Sequence, residues 1–168
     1  MKKRTKLLRI FKEVLIGLLL LFLFSLALNW YRAPKAIENP LSRIKGTTLQ
    51  GEDVQSYLRL GEPLMIHFWG TWCPICAQEA SNIESVARRY PVITVAVQSG
   101  GKEKILEWMQ SHGVHYPVLD DPDGSLAKRF GVSIFPTTFI LGPDAQVKFV
   151  ESGYTTTAGL LARMKLAE

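Results

Sequence analysis

Apolar and polar positions divide this chain near residue 32. Residues 14–28 form an apolar run interrupted only by Gly17 and Ser25. As a helix that run spans about 22 Å, short of the roughly 30 Å core of a bilayer. Extended to 10–31 it spans about 33 Å, with Lys12 free to snorkel. Asn29, Trp30 and Tyr31 then stand at the far interface, where aromatic side chains collect. The pattern predicts a transmembrane anchor at 10–31. A cleaved signal peptide is the competing reading, since Ser25-Leu26-Ala27 offers small residues at a cleavable spacing. The run stays apolar to its end and is followed by Trp30 and Tyr31, which favours an uncleaved anchor.

Beyond it the pattern changes. Residues 32–45 contain Pro34 and Pro40 without hydrophobic periodicity and read as a linker. From residue 46 to 168 short apolar runs alternate with helical spacings. Residues 54–60 are a short helix candidate after a turn at 51–53. Residues 63–69, apolar but for His67, and 92–97, apolar but for Thr94, have the pattern of strands buried inside parallel sheets. Between them 74–89 is helical, with Pro74 in the first turn, where a missing N–H costs nothing. Residues 102–112 carry Ile105, Leu106 and Met109 on one helical face. Residues 114–119 are expected as a third strand, 120–124 as a turn and 125–130 as a short helix. Residues 137–141 and 147–152 flank Gly142-Pro143-Asp144-Ala145 and read as an antiparallel hairpin, with 156–166 as a closing helix. The fold class is α/β, a mixed sheet covered by helices on both faces.

Charge orients the molecule. Six basic residues (Lys2, Lys3, Arg4, Lys6, Arg9 and Lys12) precede the apolar run against Glu13 alone, which accounts for the whole net charge of +5. Residues 1–9 are therefore expected as a cytoplasmic basic tail, with the domain exported to the periplasm and the anchor in the inner membrane as a single pass. Residues 32–168 balance 14 basic against 14 acidic side chains. The isoelectric point near 9.3 belongs to the anchor, and nothing suggests a nucleic-acid partner.

The chain holds two cysteines, in Trp72-Cys73-Pro74-Ile75-Cys76. Three apart on a first helical turn, they share a side and come within disulfide reach. Export places them where disulfides persist. Cys73, at the positive end of the helix dipole, is the expected nucleophile, and Cys76 resolves the mixed disulfide. An inert staple would close too short a loop to add much stability. Zinc needs three or four ligands, and beyond the sulfurs only His67, His112 and His115 are on offer. Haem attachment needs a histidine after Cys76, where Ala77 stands. A copper-handling module using the same cysteines remains an alternative, as does a binding module without turnover.

The stretch Phe68-Trp69-Gly70-Thr71-Trp72-Cys73-Pro74-Ile75-Cys76-Ala77-Gln78-Glu79, the stretch from Phe130 to Ile140 with Pro136, and the extra helix and strand at about 102–119 together resemble the TlpA-like family of the thioredoxin superfamily. Within it the chain is similar to the suppressor-for-copper-sensitivity protein D (ScsD) type, with cytochrome c maturation thioredoxins as near relatives and alternatives. The resemblance covers about residues 40–166. It implies a thioredoxin fold, protein disulfides as substrates, no bound cofactor, and a reductase fed by a transmembrane electron donor. It implies a cis bond before Pro136 that exposes the backbone of Phe135 to an extended partner strand. It also implies that Glu79, three residues after Cys76, tunes the pair. His67, six residues before Cys73, stands where plain thioredoxins carry a buried aspartate. Either a proton-transfer role or a hydrogen-bonded core position suits it. Trp72, Pro74, Ile75 and Phe135 are the expected substrate groove. Trp69 and Trp108 are assigned to packing.

Overall fold

The computed structural model describes residues 11–21, 23–24, 40–57 and 61–168. The chain divides into two units, Met1–Ala33 and Pro34–Glu168. In the first, residues 11–21 and 23–24 are helical (α1) and exposed. Residue 10, residues 25–31 and the basic tail lie outside the described residues, as do 32–39 of the expected linker. Among the described residues no helix is long and apolar enough to cross a membrane.

The second unit begins earlier than its periodicity suggested. Pro40–Arg43 forms one helical turn (α2), and Pro40 and Ile44 are buried. Ile44 joins the core with Val54 and Leu119. Residues 40–45 are therefore part of the packed domain, held by an apolar anchor too short to register as a periodic element. Val54–Tyr57 is a single 3-10 turn. Residues 58–60 of the expected helix are not among those described.

Strands β1 (Leu64–Trp69), β2 (Val92–Val97), β3 (Val118–Asp121), β4 (Thr137–Leu141) and β5 (Val147–Ser152) form one sheet in the order β3-β2-β1-β4-β5. β1 pairs parallel with β2 and antiparallel with β4. β2 pairs parallel with β3, and β4 antiparallel with β5. The first two strands are buried throughout, which is why they are apolar except at His67 and Thr94. Helices α3 (Pro74–Ala87), α4 (Lys102–His112), α5 (Ser125–Arg129) and α6 (Thr157–Leu166) cover the sheet. Side-chain alternation splits the core in two. Met65, Trp69, Ala96 and Ile140 face α3, α4 and α6, whereas Ile66, Phe68, Ile93 and Phe139 face α5 and the 3-10 turn.

The third strand differs from the expectation. Residues 114–117 are not strand, and Asp120 and Asp121, expected in a turn, belong to β3. Asp121 is tolerated there because its carboxylate accepts the N–H groups of Leu126 and Ala127 at 3.0 and 2.9 Å, satisfying the start of α5. α3 ends at Ala87 rather than residue 89, and α5 at Arg129 rather than residue 130.

Candidate active site

β1 ends at Trp69, and the chain turns through Gly70, Thr71 and Trp72 into α3. Cys73 is the N-cap of α3 in an extended conformation, with Pro74 in the first turn. Its Sγ accepts the backbone N–H of Cys76 at 3.2 Å. Cys73 and Cys76 form a disulfide, with Cα atoms 5.3 Å apart. Both sulfur-bearing residues are buried, whereas Pro74 between them is exposed, Ile75 is 46% exposed and Trp72 before them is 53% exposed. The reactive bond thus sits in a small apolar surface. On reduction, a Cys73 thiolate would meet the orphan N–H groups and positive dipole of a helix start, which favour the charged form.

The second motif folds against the first. The Phe135-Pro136 peptide is cis, as the resemblance implied. The Phe135 ring meets the Trp72 ring in a T-shaped arrangement, centroids 5.3 Å apart. Residue 135 therefore lies beside the residue that precedes Cys73. Pro136 is buried, and Phe135 is half-buried and packs against both core clusters.

Gly70 is required by this arrangement. A Cβ there would stand 2.6 Å from Cε2 and Nε1 of Trp72, so the indole can lie where it does only over a glycine. The indole N–H donates to the Val97 carbonyl at 3.0 Å.

The two ionisable candidates are both buried on the α3 side of the sheet. Glu79 lies on the buried face of α3, one turn beyond Cys76. Its Oε1 accepts the Thr155 N–H at 3.0 Å, and its Oε2 has no hydrogen-bond partner. Burial pushes its carboxyl up to about 7, against the opposing pull of that N–H. His67 lies mid-way along β1, with Nδ1 2.9 Å from the Thr138 hydroxyl. Burial lowers its pKa to about 3, so the imidazole is neutral at ordinary pH. The register places Thr94, His67, Thr138 and Glu151 side by side across four strands, a polar row between apolar neighbours such as Met65, Trp69 and Ile140. Glu151 is paired with Arg163 of α6 at 2.6 Å.

Trp69 is buried, 4.4 Å from the half-buried Trp108 ring and 6.1 Å from that of Tyr116. Trp108 in turn stacks on His112 at 3.9 Å. Both tryptophans pack, as expected. Among the described residues no three of His, Cys, Asp and Glu gather as metal ligands. The residues that sequence reasoning missed are Thr71, Ser99 and Val97, which bond the turn before Cys73. Val97 takes part through its backbone carbonyl, which every residue possesses, so no residue type marks it.

The AhpC/TSA family profile matches residues 37–150. The chain belongs to the AhpC/TSA family. Among the relatives of this family member is a thioredoxin-like protein of Haemophilus influenzae, 28% identical over 165 residues, covering 97% of this chain and 98% of the relative. The thiol-disulfide oxidoreductase ResA of Bacillus subtilis is 33% identical over 110 residues, covering 63% of this chain and 62% of ResA. Among solved structures, MTB DsbF in mixed oxidised and reduced forms superposes with a TM-score of 0.68 at 28% identity, covering 79% of this chain and 99% of DsbF. The family member thus has a thioredoxin-like α/β fold, with the mixed five-stranded sheet that the sequence pattern anticipated.

Proposed function

We propose that this chain is an exported, membrane-tethered thiol–disulfide oxidoreductase of the ScsD type, exchanging disulfides with partner proteins and working as a reductase. Its class, protein-disulfide oxidoreductase, agrees with the relative ResA, a thiol-disulfide oxidoreductase. The observation that carries the reading is the Trp72–Phe135 contact, which joins the disulfide-bearing turn to the cis-proline loop in one exposed apolar groove.

In the reductive direction the cysteine pair begins as dithiol. The Cys73 thiolate attacks one sulfur of a partner disulfide. That S–S bond breaks, a mixed disulfide forms, and the released partner sulfur takes a proton. Cys76 then gives up its proton, attacks the Cys73 sulfur and expels the second partner thiol. Two electrons pass from the pair to the partner, leaving the disulfide that the structure holds. Glu79, poised near neutrality one turn from Cys76, accepts the Cys76 proton. His67, neutral and bonded to Thr138, keeps the sheet beneath uncharged, and its low pKa favours the hydrogen-bonded core position over proton transfer. No bound cofactor is needed, because a transmembrane donor regenerates the dithiol.

The tether rests on the apolar run at 14–28 and the basic surplus before it. Anchorage raises the effective concentration of a membrane partner. It is tested by whether the chain sediments with membranes after alkaline washing and whether the domain is cut by protease added outside the inner membrane.

The exchange reading is tested in cells with full-length Cys76→Ala. Partner proteins should accumulate as mixed disulfides on Cys73 and be absent from the doubly substituted Cys73→Ala/Cys76→Ala chain. Identical adduct patterns would sink it. The direction is tested by the potential: a value near about −270 mV supports a reductase and one near about −120 mV overturns it.

A further inference from the structure

The loop between β2 and α4, residues 98–101, belongs to none of the recognised motifs, yet it grips the turn that leads into Cys73. Ser99 is buried, and its Oγ accepts the Thr71 N–H at 3.1 Å. Its carbonyl accepts the Thr71 hydroxyl at 3.2 Å. Its own hydroxyl donates to the Val97 carbonyl at 3.1 Å, the same carbonyl that accepts the Trp72 indole N–H. One serine and one carbonyl therefore hold the two consecutive residues that precede the nucleophile.

The loop is built for this. Gln98 has φ 49°, and Gly100 and Gly101 have φ 86° and 89°. A left-handed glutamine is disfavoured and persists only where its surroundings determine it. Through this backbone path Ser99 turns inward to Thr71 while α4 starts three residues later, at Lys102. The indole it steadies meets Phe135 and lies over Gly70.

We propose that Ser99 is a positioning residue for disulfide exchange, fixing Thr71 and Trp72 so that the indole wall of the partner groove keeps its place beside Cys73. The proposal rests on the reading of Cys73 and Cys76 as an exchanging pair. The hydrogen bonds of Ser99 go to Thr71 and Val97 and not to either sulfur, so it acts on how a partner chain is held rather than on bond exchange.

The test uses the full chain in detergent, reduced beforehand, and a synthetic peptide whose single cysteine carries a thionitrobenzoate disulfide. The Cys73 thiolate attacks the peptide sulfur, the S–S bond breaks, and thionitrobenzoate leaves with the electron pair. Cys76 then displaces the peptide thiol. Thionitrobenzoate release is followed against peptide concentration. Ser99→Ala should raise the half-saturating concentration about threefold to tenfold, the scale of a lost hydrogen bond, and leave the maximal rate within about twofold. Thr71→Val, at a half-buried position that tolerates the change if Ser99→Ala does not fold, should shift the same parameter in the same direction. Thr71→Ser, which keeps the hydroxyl, should not. If Ser99→Ala and Thr71→Val leave the half-saturating concentration unchanged, or lower the maximal rate and the melting temperature together, the positioning role is overturned. If the unsubstituted chain releases no thionitrobenzoate, the exchange reading itself fails before any variant is compared.

Discussion

Glu79 of α3 accepts the backbone N–H of Thr155, in the turn before α6, at 3.0 Å. The carboxyl ties the helix that carries the cysteines to the segment that closes the fold, and it does so from a wholly buried position. Burial raises its pKa from 4.5 to about 7. The folded state holds the proton more tightly than the unfolded state. Its contribution to stability is complete below about pH 4.5 and is lost as pH rises through about 7. Glu79→Gln removes this dependence. Relative to Glu79→Gln, the parent chain should lose stability across that window, by up to about 3 kcal/mol. Urea denaturation of the oxidised proteins at several pH values checks it, and a difference independent of pH would refute it.

His67 shifts the other way. Its pKa falls from 6.5 to about 3, so the folded state refuses a proton that the unfolded chain accepts. Stability is complete above about pH 6.5 and is lost as pH falls toward about 3. His67→Leu should flatten that acid limb. At neutral pH it should cost about 1–3 kcal/mol, because the buried Thr138 hydroxyl loses its partner. Adding Thr138→Val should recover part of the loss. Denaturation in a Glu79→Gln background, where the opposing titration is absent, is the measurement.

The Trp72 indole can be displaced without touching a sulfur. Gly70→Ala places a Cβ 2.6 Å from the Trp72 indole and forces the ring off the Val97 carbonyl. The expected result is a stability loss of about 1–3 kcal/mol, as for other overpacked sites, together with weaker peptide binding in the thionitrobenzoate assay. An alanine variant matching the parent in both measurements would show that the indole position is unimportant.

The domain boundary is also testable. Ile44 is fully buried with Val54 and Leu119. A fragment of residues 46–168 should melt lower than one of residues 34–168, with a difference of about 2–5 kcal/mol, the cost of removing a large core side chain. Equal stability in denaturant would return residues 40–45 to the linker.

How much of this was legible depended on where each signal lay. β1 and β2 were legible because strands buried on both faces are apolar at most positions, here all but His67 and Thr94. The disulfide pair was legible because a three-residue spacing on one helix is a local relationship. Ile44 was not, because with Leu41 it makes a single apolar pair, too short a stretch to show a period. β3 was displaced because Asp121 looks like a turn residue until its carboxylate finds the N–H groups that start α5.

The amino-acid sequence by itself determined the cysteine motif, the proline of the second loop, the apolar strands and the charge asymmetry of the first thirty or so residues, all properties of neighbours along the chain. Only the tertiary structure decided that Phe135 closes on Trp72, that Ser99 and the Val97 carbonyl hold the turn before Cys73, and that burial rather than charge sets the proton affinities of Glu79 and His67. These depend on distance through space and on desolvation. The backbone groups that make several of the contacts are the same in every residue, so composition and spacing carry no trace of them.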